Sequence, residues 1–310
     1  MASIIPITKL PQGTQTTGGE LIPIVQSGTT KHIILSAFIG GAVNERSDYA
    51  GVAAGIDNKA LGRSSFVGGG VCNVVNGDGS AIGSGLLNTV TGQRSFIGSG
   101  DTNNINGLCS VIAGGTGNKV TGNSITIGGG LSGTVTAEQT FIGGGKCNTV
   151  DGFVGVVVGG CQNTASSPYS FIGGGCQNCT DSGNFSVVVG GCGNEAGVGT
   201  GTIAGGKGNI IKGFYGTIAG GLNNKICAGS ECSFIAGASN EICATKVCGI
   251  ILGTNNIINH QRSTIIGHGI TSVAANTTHV EKLNIRSIPT SSAGLAAGSV
   301  YSDSGTLKIV

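Results

Sequence analysis

Apolar residues in this chain come in short runs that return at a fixed interval, with Gly and Asn between them. With Asn as the register mark, one slot holds Asn73, Asn88, Asn103, Asn118, Asn148, Asn163, Asn178, Asn194, Asn209 and Asn224, and Gly133 fills the single gap. The marks keep a 15-residue step, lengthened once to 16 between Asn178 and Asn194. Six residues before each mark stands an aliphatic residue, from Val67, Ile82 and Ile97 to Ile203 and Ile218. Two residues after it stands, in most copies, Val or Ile: Val75, Val90, Ile105, Val120, Val135, Val150, Ile211, Ile226. Three residues before it stands Gly without exception, as at Gly70, Gly85, Gly100, Gly115, Gly145, Gly160 and Gly175. A fixed period of this kind is the signature of a stacked repeat.

Runs of three to five apolar residues bounded by Gly are strands, and residues 36 to 270 carry no 3.6-residue period. Two strands and two turns in each repeat predict an all-β fold, a parallel β-roll or slender β-solenoid. About 15 coils stacked at about 4.8 Å make a rod of roughly 70 Å. The two aliphatic slots supply the inner faces. The slot seven before the mark points outward and is mixed: Phe66, Ala81, Phe96, Val111, Thr126, Phe141, Val156, Phe171, Val187, Thr202, Thr217. Large rings beside glycines are a poor solvent face, and repeated along a rod they exceed the apolar patch a monomer normally exposes. Phe66, Phe96, Phe141 and Phe171 are therefore candidates for a self-association face, and a trimer is the expected partner arrangement. The Gly slot calls for positive φ or close approach of a neighbouring backbone. The Asn slot suits a left-handed turn residue whose side chain bonds from coil to coil. Both slots read as structure, not as a ligand site.

The two ends break the repeat. Residues 1–35 read as an extended leader, with one edge strand over Leu21 to Val25 limited by Pro23, of a kind that docks onto something else. Residues 36–275 carry the coils. Residues 276–310 read as a small β cap: a strand over Val280 to Ile285, then a hairpin of Ser299–Tyr301 and Leu307–Val310 around Ser302-Asp-Ser-Gly305.

Composition narrows the function. The chain has 310 residues, 61 of them Gly, with 10% charged residues and a formal net charge of +2. Neither a collagen rule nor a Pro-rich linker fits, and the weak charge predicts no nucleic-acid partner. No run reaches the length of a membrane-spanning helix, so membrane insertion is not expected. The start lacks a secretory signal pattern, which points to synthesis in a cytoplasm.

The motif Ser-Phe-Ile-Gly-Gly-Gly-x-x-Asn-x-Val-x-Gly resembles the head repeat of the YadA-type trimeric adhesins over residues 36 to 270. That resemblance implies a left-handed parallel β-roll packed as a homotrimer. The leader, Ile7-Thr-Lys-Leu-Pro through Glu20-Leu-Ile-Pro-Ile-Val-Gln-Ser-Gly-Thr-Thr-Lys31, resembles the start of many phage tail and fibre proteins. The stretch from Ile288 to Val310 resembles a terminal module of viral fibres. The signal peptide, coiled-coil stalk and membrane-barrel anchor of an autotransporter are not found. Together these imply a virion appendage, attached to other virion proteins through residues 1–35 and serving host attachment, by a receptor or glycan, or decoration. The rival reading is a cell-surface adhesin head of the YadA type.

Candidate chemistry is sparse. Cys161, Cys176 and Cys192 share a slot on consecutive coils, two before the mark, and Cys72 and Cys147 sit one before it. Stacked cysteines have disulfide-compatible spacing, while a reducing cytoplasm favours thiols packed as small hydrophobes. Cys176-Gln-Asn-Cys179 has no matching second pair, so neither metal nor cofactor is expected. His260 and His268 fall near adjacent coils and read as ordinary histidines before any role at a trimer axis. The acids Asp78, Asp101, Glu138, Asp151, Asp181, Glu195, Glu231 and Glu241 are scattered through turns, whereas glycan hydrolysis needs a pair. No catalytic constellation is expected, and no enzyme.

Overall fold

The computed structural model describes residues 21–26, 29–34, 45–46, 49–245, 248–283, 288–304 and 306–310, with the backbone alone given before residue 49. The chain is an all-β parallel solenoid of about 15 coils with a 15-residue period, and the described residues contain no helix. One coil begins with Phe66–Val67, turns through glycines, passes Val71, turns again into Val74–Val75, and turns once more into Ala81–Ile82. Stacking gives two parallel sheets: a first, 16-stranded one from the Phe66–Val67 positions and a second, 15-stranded one from the Val74–Val75 positions. Register is strict, as Phe96 lies between Ala81 and Val111 and Asn104 between Thr89 and Lys119.

The core is two facing columns. Val67, Ile82, Ile97, Ile112 and Ile127 from the first sheet, and Val75, Val90, Ile105, Val120 and Val135 from the second, are fully buried. So narrow an interior leaves no room for a second layer, and the corners are closed by polar side chains. The Asn slot lies inside: Asn73, Asn88, Asn103 and Asn118 are fully buried. The Asn88 backbone N–H donates to Asn73 Oδ1 at 3.0 Å, and its Nδ2 donates to the same oxygen at 3.0 Å and to Gly100 O at 2.6 Å. The Asn88 amide thus stitches three coils, while that of Asn163 bonds its own coil and the next, and buried polar groups are tolerable only on such terms. At the Gly133 gap the backbone N–H still donates to Asn118 Oδ1, at 2.8 Å.

The left-handed residue is not the Asn but the one before it. Cys72 (φ 55°), Leu87 (φ 57°), Thr102 (φ 55°), Cys147 (φ 53°), Gln162 (φ 55°) and Gln177 (φ 55°) occupy that region. The physical reason is direction: a left-handed step just upstream swings the following side chain inward, where the Asn finds its partners. The cost of αL for a non-Gly residue is about 1–2 kcal/mol. It is offset in part by coil-to-coil bonds such as Leu87 N–H to Val71 O at 3.0 Å. The Gly slot needs glycine on two counts. Gly70 has φ 96°, and a Cβ there would lie 2.0 Å from Gly85 O.

A second internal ladder closes another corner. Ser80, Ser95 and Ser110 are buried; Ser95 N–H donates to Ser80 Oγ at 2.9 Å, and Ser80 Oγ donates to Gly92 O at 2.8 Å. Ile125 takes the slot on the next coil and its N–H still reaches Ser110 Oγ, at 3.1 Å. Beyond the coils, Leu21–Gln26 pairs antiparallel with Thr29–Ile34, so this part of the leader is two paired strands and not one. Thr278–Val280 adds in parallel to Thr264–His268, continuing the first sheet past residue 275, and Val300–Asp303 pairs antiparallel with Thr306–Ile309. The expected strand over 280–285 falls partly on residues 284–287, which lie outside the described residues.

Two stability outcomes follow. Asn103→Ala deletes the acceptor of the Asn118 N–H and the donor to Gly115 O (2.8 Å), and leaves a cavity. Urea denaturation should show a loss of about 2–4 kcal/mol, with hydrogen-exchange protection lost on the adjoining coils first. Thr180 occupies a core slot held elsewhere by Val, Ile or Ala, fully buried, with no hydrogen-bond partner for Oγ1 among the described residues. Thr180→Val should therefore stabilise by about 1 kcal/mol, read in the same assay.

Candidate self-association face

The two sheets present opposite chemistry to solvent. Outward slots of the second sheet hold the charged Lys59, Lys119, Glu195, Lys225 and Glu241 among Thr and Asn residues and the apolar Val74, Cys179, Ile210 and Ile257. Lys225 Nζ pairs with Glu241 Oε1 at 2.8 Å, and Lys212 Nζ with Glu195 Oε1 at 3.4 Å. This is an ordinary solvated surface.

The first sheet has no charge on its outer face. From Phe66 to Thr264 the outward strand slot contains only Phe, Ala, Val, Thr and Ile, and the slot two residues on runs from Gly68, Gly83 and Gly98 through Val158, Val189 and Ala204 to Leu252 and Ile266. Phe66 (46% exposed), Phe96 (43%), Phe141 (39%) and Phe171 (37%) all lie on it, each in register with its neighbours. A ring in this slot reaches over the glycine two residues on: a Cβ on Gly173 would sit 3.3 Å from an atom of the Phe171 ring. The result is a shallow uncharged ribbon, about 65 Å long and about 10 Å wide, or roughly 700 Å². Charges return only at its margins. Arg63, Asp78, Arg94 and Glu138 stand along one edge, and Asp101, Lys146 and Lys207 along the other. An uncharged strip with a polar rim is the anatomy of a protein interface.

Of the predicted turn ladder, the Asn members stand inside the coil, while the Gly members form its corner, where Gly145, Gly160 and Gly175 are exposed. Gly70, Gly85, Gly100, Gly115, Gly145, Gly160 and Gly175 all have positive φ. Asn73, Asn88, Asn103, Asn118, Asn148, Asn163 and Asn178 are fully buried. His260 Nδ1 hydrogen-bonds Ser272 Oγ at 3.0 Å and His268 Nδ1 hydrogen-bonds Thr254 Oγ1 at 2.7 Å, each within the chain.

Cys161, Cys176 and Cys192 follow one another in a third column of parallel bridges, flanked by Lys146 and Lys207, and remain thiols. Burial, then the hydrogen bond to Cys192, then the charges of Cys192 and Cys161, hold the Cys176 thiol above its ordinary range. Cys179 lies apart from it on a strand of the second sheet, where burial and then Asp181 and Glu195 push its thiol up. A second irregular feature lies beside the lengthened coil between Asn178 and Asn194. Phe153 and Tyr169 meet edge to face at 5.6 Å, Tyr169 stacks on Phe185 at 4.9 Å, and a cleft of about 410 Å³ opens between Phe185 and the Phe214–Tyr215 pair. The sequence showed these rings only as scattered aromatics, because the slot shared by Tyr169 and Phe185 holds Arg94, Cys109, Ser124 and Gln139 on earlier coils.

No protein-family model and no curated protein matches this chain. What defines it is therefore the fold itself: a parallel β-solenoid repeat protein with one uncharged outer sheet.

A matched pair of lysine substitutions tests the face. Thr126→Lys places a charge in the ribbon, and Thr134→Lys places one on the opposite sheet of the same coil. Self-association measured by sedimentation should weaken at least about tenfold for the first, since burying an unpaired charge costs about 2–5 kcal/mol, and stay unchanged for the second.

Proposed function

We propose that this protein is a structural fibre subunit, three copies of which pack through the uncharged outer face of the first sheet into a homotrimeric rod. One observation carries the reading: a face of roughly 700 Å² without a single charge, close to the roughly 800 Å² each partner contributes to a standard interface. A solvated face has no reason to exclude Lys, Arg, Asp and Glu along the whole length of the coils. Three copies suit a narrow ribbon that must be covered along its length, because three-fold closure lets one face of each chain meet two neighbours. The trimer also agrees with the resemblance of the Ser-Phe-Ile-Gly-Gly-Gly-x-x-Asn repeat to the YadA-type heads.

The place of the rod is a virion, in this reading. Support comes from the likeness of residues 1–35 to phage tail and fibre leaders and of residues 288–310 to viral fibre ends. The leader joins the rod to other virion proteins, and the far end is presented outward for attachment or decoration.

Sedimentation equilibrium of the folded chain decides the central point. A mass of three chains with the frictional ratio of a rod is the expected outcome; a monomer at micromolar concentration overturns it. Immunogold labelling then separates virion from cell: label on particles supports the appendage reading, and label on bacterial surfaces favours the adhesin.

A further inference from the structure

Four cysteines near the end of the solenoid fall at matching places on two coils. Cys227-Ala-Gly-Ser-Glu-Cys232 and Cys243-Ala-Thr-Lys-Val-Cys248 share a Cys-x4-Cys spacing, one coil apart. Four thiols so spaced would first suggest a tetrahedral metal site. The geometry separates them into two pairs. Among the described residues, the ligand atoms that gather within 4.8 Å of one another are those of Cys227, Glu241 and Cys243, without Cys232.

Register makes the pairs. Lys225 and Ile226 lie opposite Glu241 and Ile242, and the next residues, Cys227 and Cys243, are joined by a disulfide with Cα atoms 4.8 Å apart. On the far side of the turn, Phe234 lies opposite Ile250, and the Gly249 N–H donates to Ser233 Oγ at 3.4 Å. Two residues before the Phe234–Ile250 pair, the same register sets Cys232 against Cys248. Stacked coils hold Cα atoms at a separation within the range a disulfide spans. Both thiols of this second pair are exposed.

The location has a reason. The turn from Ile226 to Phe234 spans eight positions, as does that from Ile242 to Ile250, against six from Val75 to Ala81. These two lengthened turns lie on neighbouring coils, and each has a cysteine as its first residue and another as its last but one. A longer turn has more backbone to order outside the strand ladders, and such segments open first. We propose that Cys232 and Cys248 are a second, solvent-accessible cystine that, with Cys227–Cys243, staples the two long turns to each other at both ends.

The bond forms by exchange with a small-molecule disulfide such as oxidised glutathione. The thiolate of one cysteine attacks a sulfur of the oxidant, forming a mixed disulfide and releasing one small thiolate. The second cysteine, deprotonated, attacks the protein-side sulfur of that mixed disulfide and expels the second small thiolate. The two protons lost by Cys232 and Cys248 end on the two released thiols, and the oxidant's disulfide is the bond reduced. Partial desolvation where the exposed Cys232 lies against the next coil, followed by the neighbouring Cys248 and Glu231, keeps its thiol above the ordinary range, so exchange is slow at neutral pH and speeds up in alkaline solution.

The test uses the full chain, reduced and then equilibrated with oxidised glutathione, alkylated with iodoacetamide and mapped by mass spectrometry without reduction. Expected are two linked peptide pairs, Cys227 with Cys243 and Cys232 with Cys248. Proteolysis in the two turns should be at least about fivefold slower than in the reduced chain, since closing loops restricts their open states. A Cys232→Ser, Cys248→Ser chain should retain the first link and lose part of this protection. On the reduced protein, phenylarsine oxide should block alkylation of Cys232 and Cys248 together. Alkylation of both in the oxidised chain beside an intact Cys227–Cys243 link overturns the proposal, as does pairing of either with Cys227, with Cys243 or with another chain. None of these outcomes depends on the trimer, which sedimentation reads separately.

Discussion

A single coil of this solenoid is too thin to satisfy its own backbone. Each strand turns one aliphatic side chain inward, and most peptide groups find partners only in the coil above or below. The buried Asn column makes this possible at the tightest corner. Its side-chain oxygen accepts the backbone N–H of the next Asn, and its amide nitrogen donates to carbonyls on its own coil and the next. Every other feature answers to that stitch. The left-handed residue before it aims the side chain, the Gly three before it clears the space, and the aliphatic columns fill what remains. Buried polar networks hold when each member is satisfied, and here each coil satisfies its neighbour.

Such a molecule is close to one-dimensional, and its stability is a sum of coils and coil junctions. Defects are therefore local. Gly133 interrupts the Asn column, Ile125 the Ser column and Thr180 the apolar column, yet strand pairing continues past each of them. The surface is where the coils become unequal. One sheet carries salt bridges and threonines and the outer face of the other carries nothing charged, the asymmetry on which the proposed self-association rests. The aromatic stack beside the lengthened coil and the cysteines in the two long turns occur where the period slips.

Much of this was legible along the chain. The constant step, the two apolar slots and the Gly slot follow directly from side-chain spacing, because a stacked repeat places every copy in the same environment. The hairpin at Val300–Asp303 and Thr306–Ile309 was legible from its Asp-Ser-Gly turn. The Asn side chain was read correctly as a rung and incorrectly as the left-handed residue. Spacing alone does not tell which of two adjacent residues turns and which points inward. The Ser column went unread as a ladder because Ser before an apolar pair also fits an ordinary surface turn. Cys72, Leu87 and Thr102 have nothing in common chemically, so their shared positive φ left no trace in residue type.

Sequence by itself determined the period, the all-β character and the identity of the core, since these depend on which residues recur and how far apart. Tertiary structure decided what lies beside what. Stacking brought Cys227 against Cys243 and Cys232 against Cys248, gathered Phe153, Tyr169 and Phe185 into one stack, and joined Phe66, Phe96, Phe141 and Phe171 with small residues into one uncharged ribbon. The physical reason is that a coil fixes only the residues it contains. Faces, columns and pairs between turns exist once the coils are laid on each other, and a slightly longer turn changes which side chains meet.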